Sequence, residues 1–448
     1  MTKLKMIDKD TILKTLGYDA LTPMQEAMLQ VGANPGGVVL LSPTGTGKTL
    51  GYLLPAVRQI DLKLDVLQVV VVVPTRELAV QCEMALKSMK TGARSLSLYG
   101  GRPTMEEHRK LREVQPHIVF ATPGRLNDHL GKGNVHVLGV KVLIIDEFDK
   151  CLEFGFQAEM EDLLKHFSKV RCCWLMSATD ADEIPTFMQR LFQTFKKLDY
   201  LSEGDASTEN RLQLRLVRSP QKDKLETLSR LLTTLKGAPT IVFVAYRESV
   251  ERVGKWLREQ GFSAEIYHGG MEQDWRERAL YKFRSGAANV LVSTDLAARG
   301  LDIPEVRAIV HYHLPLKEED YMHRNGRTAR WDADGMVYWL LGPTEQLPAY
   351  AHDVCEFELD THMRIIPVLP RYATIYIGRG KRDKLSKGDV LGFLCKKGGL
   401  RSDEIGRIDV GAHYAYASVL RQRLKAVLKL VAGEKIKGMK TLIEEMKR

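Results

Sequence analysis

The chain has 448 residues, 44% hydrophobic and 27% charged, enough for two or three domains each with its own core and too apolar for a disordered polymer. No apolar run approaches the length of a membrane span, the first residues lack the apolar stretch of a signal peptide, and six cysteines without C-x-x-C spacing exclude a disulfide framework or thiolate metal centre and fit a reducing cytoplasm. The net charge of +10 is uneven: residues 371–448 carry 19 Lys/Arg against 8 Asp/Glu, while the rest is close to neutral, so a basic terminal module for a polyanion is expected on a neutral body.

Residues 9–30 read as helix, turn, helix, with Thr22 as N-cap and Pro23 in the first turn of the second helix. Gln25, in that turn, has a side-chain amide that both donates and accepts, as an adenine edge requires. The apolar run Val38-Val39-Leu40-Leu41 then reads as a buried strand, and a helical pattern begins at Leu50. Between them lies Ser42-Pro43-Thr44-Gly45-Thr46-Gly47-Lys48-Thr49, the strand–turn–helix context of a phosphate-binding loop. Gly45 and Gly47 allow the backbone N–H groups to close on phosphate oxygens at a helix start, Lys48 reaches the β- and γ-phosphates, and the Thr49 hydroxyl suits Mg²⁺. Ser42 stands where the strict loop pattern has its first glycine.

Residues 66–73 are apolar and β-branched, as a central parallel strand buried on both faces demands. Pro74-Thr75-Arg76-Glu77-Leu78-Ala79, Tyr99-Gly100-Gly101 and Thr122-Pro123-Gly124-Arg125 each follow a strand end, and ligands of open α/β sheets bind beyond those ends. Residues 142–145 form another strand, which ends in Asp146-Glu147-Phe148-Asp149. Two carboxylates there can hold Mg²⁺ through water and activate a nucleophilic water. The strand before Ser177-Ala178-Thr179 ends in hydroxyls suited to those acids.

Residues 201–210 are polar, small and aperiodic and read as an interdomain linker. A second alternating α/β series follows over residues 240–312 without a second phosphate loop. Its guanidinium groups cluster in Ala298-Arg299-Gly300-Leu301-Asp302 and in the stretch from His323 to Arg330, where Arg327 and Arg330 can converge on one phosphate. Residues 371–448 read β-α-β-β-α-β, an RRM-like order. Tyr376, Tyr414 and Tyr416 alternate on strand faces as stacking platforms for bases do; the alternative is that they only fill a half-exposed sheet face. Lys435, Lys437 and Lys440 around Gly438 offer a separate set of phosphate contacts.

Taken in order, these motifs over residues 9–365 resemble the DEAD-box ATP-dependent RNA helicases. The resemblance implies an α/β protein of two tandem RecA-like parallel-sheet domains, residues 1–200 and 211–365, followed by a small α+β RRM-like domain, residues 371–448. It implies ATP and Mg²⁺, with Thr22, Gln25, Thr44, Gly45, Thr46, Gly47, Lys48, Thr49 and Asp302 on the nucleotide and Thr49 and Asp146 on the metal. Glu147 would activate the attacking water, and Arg327 and Arg330 would be arginine fingers. Arg76, Gly101, Thr122, Arg125, Arg247, His268 and Thr294 would follow the RNA backbone, fixing its position without reading bases.

The sequence departs from the family at Phe148, where the family has alanine and where a ring must find space near Ser177-Ala178-Thr179, at Asp8 in place of an upstream aromatic, and at Trp331. The tail, through Asp389-Val390-Leu391-Gly392, Glu404-Ile405-Gly406-Arg407-Ile408 and Gly433-Glu434-Lys435-Ile436-Lys437-Gly438, resembles the RNA-binding domain of the DbpA type of DEAD-box helicase. That implies tethering to large-subunit ribosomal RNA and a role in ribosome assembly, by a cytoplasmic monomer with no membrane partner. Two other readings stay open: an ATP-gated RNA clamp with weak turnover, and a DNA-translocating helicase.

Overall fold

The structure, a computed structural model, describes residues 9–43, 45–101, 103–153, 157–180, 184–189, 191–201, 212–295, 306–328 and 335–446. They fall into two compact units, one built on a first sheet and the other holding two further sheets.

The first unit contains β1 (Gly36–Leu41), β2 (Val69–Val72), β3 (Ser95–Leu98), β4 (Ile118–Ala121), β5 (Val142–Ile145), β6 (Cys172–Ser177) and β7 (Phe195–Asp199). They form one parallel sheet in the order β3-β4-β2-β5-β6-β1-β7. Alternate residues of each central strand enter different cores. Val38, Leu40, Val69, Val71 and Ile144 pack on one face, and Val39, Leu41, Val70, Val72 and Ile145 on the other. Helices cover both faces, so the strands are continuous apolar runs. All four residues of β2 are fully buried, each stabilising the fold by about 1.5–3 kcal/mol relative to exposure.

The second unit repeats this plan with β8 (Leu212–Arg218), β9 (Thr240–Phe243), β10 (Ala264–Tyr267), β11 (Val290–Ser293), β12 (Ala308–His311), β13 (Gly335–Leu341) and β14 (Cys355–Glu356). The parallel order is β10-β11-β9-β12-β13-β8-β14. The pairing of β8 with β13 over seven residues is absent from the sequence reading, which began the second series at residue 240. Leu214 and Leu216 alternate there with Gln213 and Arg215, a pattern shared by many exposed segments.

The tail, in the same unit, has β15 (Tyr372–Ile377), β16 (Ile405–Val410), β17 (Ala415–Leu420) and β20 (Ile443–Glu445) in an antiparallel sheet of order β16-β17-β15-β20. The helices Lys387–Lys396 and Leu424–Leu430 pack against one face through Val390, Leu394, Leu424 and Val427. A small hairpin, β18 (Lys435–Ile436) with β19 (Met439–Lys440), precedes the last strand and turns through Lys437 and Gly438, both at positive φ. The final strand therefore begins only at Ile443. The linker expected at 201–210 lies outside the described residues apart from Leu201.

In the second parallel-sheet domain the helix Arg247–Glu259 lies so close to β10 that a Cβ at Gly254 would run into the Ile266 side chain. Gly254→Val therefore over-packs this contact and should lower unfolding stability by about 1–3 kcal/mol in a denaturant titration; unchanged stability would mean that the helix can move away without loss.

Candidate functional site

The phosphate loop leaves β1 and enters the helix Lys48–Arg58 through Gly45 and Gly47, at φ of 86° and 88°. A Cβ at Gly47 would meet the Gln25 side-chain nitrogen at 2.5 Å, so only glycine fits both the dihedral and the space. Ser42, buried where the loop pattern has glycine, bonds Thr46 hydroxyl to hydroxyl at 2.7 Å, and Thr46 also donates to the Pro43 carbonyl at 2.9 Å. The Lys48 ammonium folds over the loop and donates to the carbonyls of Ser42 and, at 2.8 Å, Pro43. Thr22 caps the helix Pro23–Val31 in a reciprocal box: its hydroxyl accepts from the Gln25 N–H, and the Gln25 carbonyl oxygen accepts from the Thr22 N–H. The Gln25 amide nitrogen donates to the Gly47 carbonyl at 3.2 Å. Gln25 thus braces the phosphate loop from the first turn of the helix Pro23–Val31. Thr44 lies outside the described residues.

Asp146 sits at the carboxyl end of β5, only 4% exposed. Its carboxylate accepts from the Tyr52 hydroxyl at 2.9 Å and the Glu147 N–H at 3.0 Å. Burial pushes the Asp146 carboxyl up, while the Lys48 charge, the Tyr52 hydroxyl and the Glu147 N–H pull it back towards ionisation. The same hydroxyl also contacts the Cys82 thiol at 3.1 Å, and burial with the Asp146 charge raises Tyr52 far above its ordinary value, so it stays a donor. Glu147 has φ of 49°, a left-handed backbone that a side chain adopts at a cost, and strain of this kind gathers at functional sites. Asp149 accepts from the Thr179 hydroxyl at 3.0 Å, and Lys150 lies 3.7 Å from it. Phe148 does not crowd this cluster. Its ring is 1% exposed in the core that holds Leu143, Ile145, Met160 and Leu163.

A carboxylate that is buried yet drawn towards ionisation, next to a glycine-lined cradle at a helix start, fits a nucleotide phosphate with its divalent cation. Sequence reading missed Tyr52. Its only signal was a tyrosine one turn beyond Lys48 in a buried helix, where the hydroxyl must find a partner.

The other expected residues form smaller groups. In the first unit Arg76 opens the helix Arg76–Ser88 behind the Thr75 cap, and a Cβ at Gly101 would meet its guanidinium at 2.5 Å, so these two stand together. Thr122 caps the helix Pro123–Gly131 by its backbone alone. Arg125 is drawn into a buried network: it reaches the Thr104 hydroxyl at 2.6 Å, Glu107 at 3.3 Å and Asp128 at 3.5 Å, with His129 on Glu107 at 3.0 Å. In the second unit, exposed Arg247 lies beside the Gly269–Gly270 turn, and His268 bonds Glu251 at 3.0 Å. Thr294 is 9% exposed after β11. Arg327 is 5% exposed beyond the helix Glu318–Asn325, and Arg324 there holds Asp295 through two bonds of 2.5 and 2.8 Å. Asp302 and Arg330 lie outside the described residues, as do Arg299 and Trp331.

The tail requires a correction. The outward face of its sheet is partly covered. Tyr416 is 4%, Thr374 4% and Ser418 0% exposed, and the ring of Tyr281 from the second parallel-sheet domain lies tilted against that of Tyr416, with centroids 5.0 Å apart. Tyr416 is therefore not presented as a base platform in this arrangement, whereas Tyr376 and Tyr414 are half-buried. Alternation along β15 and β17 showed which face they occupy but not what covers it. Lys435 and Lys437 are exposed on the hairpin.

With this geometry in place the chain can be set beside known proteins. The model for DEAD/DEAH box helicases matches residues 22–187, the helicase conserved C-terminal domain matches 223–332, and the DbpA RNA-binding domain matches 374–445. The ATP-dependent RNA helicase DbpA of Escherichia coli is 34% identical over 437 residues, covering 96% of this chain and 95% of the relative. The chain belongs to the DEAD-box ATP-dependent RNA helicases, DbpA type.

The Bacillus subtilis DbpA is 26% identical and covers 95% of each chain. A solved structure of the DEAD-box helicase Mss116 with single-stranded RNA and UDP-BeF superposes with a TM-score of 0.69 at 23% identity, over 80% of each chain, which supports the fold. As a DEAD-box helicase the protein is an RNA-stimulated ATPase that uses ATP with Mg²⁺. No helix among the described residues is long and apolar enough to cross a membrane.

Two predictions follow from the acid cluster. Tyr52→Phe removes a hydrogen bond that favours ionised Asp146, so the acid limb of the ATPase pH profile should move to higher pH and half-saturation by Mg²⁺ should need severalfold more metal; an unmoved profile would deny the hydroxyl this role. Phe148→Ala, although it restores the family residue, empties a core position and should destabilise the protein by about 3–5 kcal/mol in denaturant unfolding. Wild-type stability in that variant would show that the ring is not a core element.

Proposed function

We propose that this DEAD-box protein locally unwinds RNA duplexes in large-subunit ribosomal RNA during ribosome assembly, acting as a cytoplasmic monomer. The proposed domain limits are residues 1–200 and 211–365 for the two helicase domains, 201–210 for the linker and 371–448 for the tail. In the proposed chemistry Lys48 holds the β- and γ-phosphates, Thr49 and Asp146 serve Mg²⁺, and Glu147 takes the proton of the attacking water. The metal, when bound, neutralises charge on the phosphate oxygens. Thr22 and Gln25 take the base, Thr44, Gly45, Thr46 and Gly47 cradle the phosphates, and Asp302 takes the ribose. Arg327 and Arg330 stabilise the charge that develops as the γ-phosphate leaves. Arg76, Gly101, Thr122, Arg247, His268 and Thr294 follow the RNA backbone; Arg125, held by Glu107 and Asp128, acts there by positioning.

The observation that carries the ribosomal reading is the tail. A module of the DbpA RNA-binding type carries Lys435, Lys437 and Lys440 on an exposed hairpin, the Lys437 ammonium also held by Asp389 at 3.1 Å, and this cationic cluster is the proposed phosphate contact. The burial of Phe148 in the core supports turnover over the weak-turnover clamp, because the acid cluster need not be displaced to house the ring.

The test compares ATPase stimulation by large-subunit ribosomal RNA fragments with that by unrelated RNA of equal length. The wild-type protein should respond to some ribosomal fragment at RNA concentrations at least tenfold lower, and Lys435→Ala with Lys437→Ala should erase that preference. Equal stimulation by all RNAs would remove the ribosomal target and leave a general RNA helicase.

A further inference from the structure

In the second helicase domain the paired strands β9 and β12 run on into two segments with different proposed tasks. After β9 come Ala245 and Tyr246, then Arg247 at the start of its helix. After β12 comes His313, which ties these segments together. Its backbone N–H donates to the Phe243 carbonyl at 3.1 Å, and its ring Nδ1 accepts from the Ala245 N–H at 3.0 Å. Its own carbonyl accepts from the Arg324 guanidinium at 2.7 Å. Arg324 is held besides by the His311 ring at 3.1 Å and by both carboxylate oxygens of Asp295. The Arg324 carbonyl in turn accepts from the Arg327 N–H at 3.2 Å. Three hydrogen bonds thus lead from Ala245, two residues before Arg247, to the backbone of Arg327, and a branch through Asp295 ends beside Thr294.

A backbone N–H can only donate, so Nδ1 carries a lone pair and the ring proton sits on Nε2. The bond to Ala245 therefore exists only while the imidazole is neutral. Burial, with the nearby Lys224, Arg324 and Arg252 charges, holds His313 below its ordinary value, against the pull of the Glu345 carboxylate. The Tyr246 and Tyr312 rings lie on either side in sequence of these contacts, their centroids 6.3 and 5.2 Å from that of His313. Ala245 is exposed, so water can satisfy its N–H without any side chain. What the imidazole adds is position: it fixes the turn that enters the Arg247 helix against the strand end that carries Arg324.

We propose that His313 is a positioning residue of the RNA-stimulated ATPase. Its imidazole keeps the Arg247 segment in register with the Arg324–Arg327 segment, so that contacts to RNA at Arg247 and Thr294 and the finger Arg327 are set by one hydrogen-bonded chain. The proposal rests on the roles proposed above for those three residues, but not on a ribosomal target.

The experiment measures ATPase of the full-length protein against polyuridine at saturating ATP, and against ATP at saturating polyuridine. His313→Phe keeps a ring without an acceptor, whereas His313→Asn places an acceptor oxygen at the same distance along the side chain. At about pH 7.5, His313→Phe should raise half-saturating polyuridine about fivefold and lower kcat about threefold, with half-saturating ATP little changed. His313→Asn should recover both values to within about twofold of wild type. A substitution that only loosened the fold would lower kcat through loss of active protein and leave half-saturation by RNA where it was. As the pH falls from about 7.5 to about 5.5, the imidazole gains a proton and the amide does not, so wild type should need progressively more polyuridine than His313→Asn. Wild-type half-saturation in His313→Phe, no recovery in His313→Asn, or a constant ratio of wild type to His313→Asn across that pH range would each overturn the positioning role. Arg247→Ala separates the two readings. Raised half-saturation there beside an unmoved His313→Phe removes the positioning alone, whereas unmoved half-saturation in Arg247→Ala removes the RNA role of Arg247 on which it rests.

Discussion

A parallel strand covered by helices on both faces has nowhere to place a charge except its ends. That constraint organises both helicase domains. β5 is apolar throughout and fully buried, and the first residue beyond it is Asp146. β1 ends in the same way at Ser42, from which the phosphate loop departs. The chemistry gathers on the carboxyl rim because the sheet expels it from everywhere else. On that rim the cost of burying a carboxylate is offset by three contacts to Asp146: the Lys48 charge, the Tyr52 hydroxyl and the Glu147 N–H. Loop, helix and acid motif are therefore one electrostatic unit, although they come from three separate stretches of sequence.

How much of this could be read from the sequence follows from the same constraint. Strands buried on both faces announce themselves as runs such as Val69–Val72, and the residues at their ends are then legible as site residues by position. The glycines of the loop and the acid motif were readable for that reason, and the Thr22 cap because Pro23 follows it at a helix start. What escaped was anything set by an approach between distant segments. Tyr52 shows its helical face but not that Asp146 lies across from it. Phe148 looked like an intruder at the acids because its neighbours in sequence are the acids, whereas its ring turns into the core with Met160 and Leu163. Arg125 looked like one more exposed cation, yet Glu107, which neutralises it, is 18 residues away in sequence.

The tail shows the limit most clearly. Its inner face, with Ile375, Ala417 and Val419, and its outer face, with Tyr376 and Tyr416, follow from alternation. An outer row of tyrosines is equally suited to a base, a neighbouring domain or water, because a phenol presents an apolar ring and a polar tip. Only the position of Tyr281 and Glu277, roughly a hundred residues or more earlier, distinguishes the three.

The amide of Gln25 joins two tasks that are usually considered apart. Through its oxygen it completes the start of one helix, and through its nitrogen it holds the carbonyl on which the next helix begins. The start of one helix and the rigidity of the phosphate cradle are thereby lodged in a single functional group. With the base-binding role proposed for that amide, a side chain chosen at position 25 to welcome a different base would slacken the cradle as well, so nucleotide preference and grip on triphosphate would drift together.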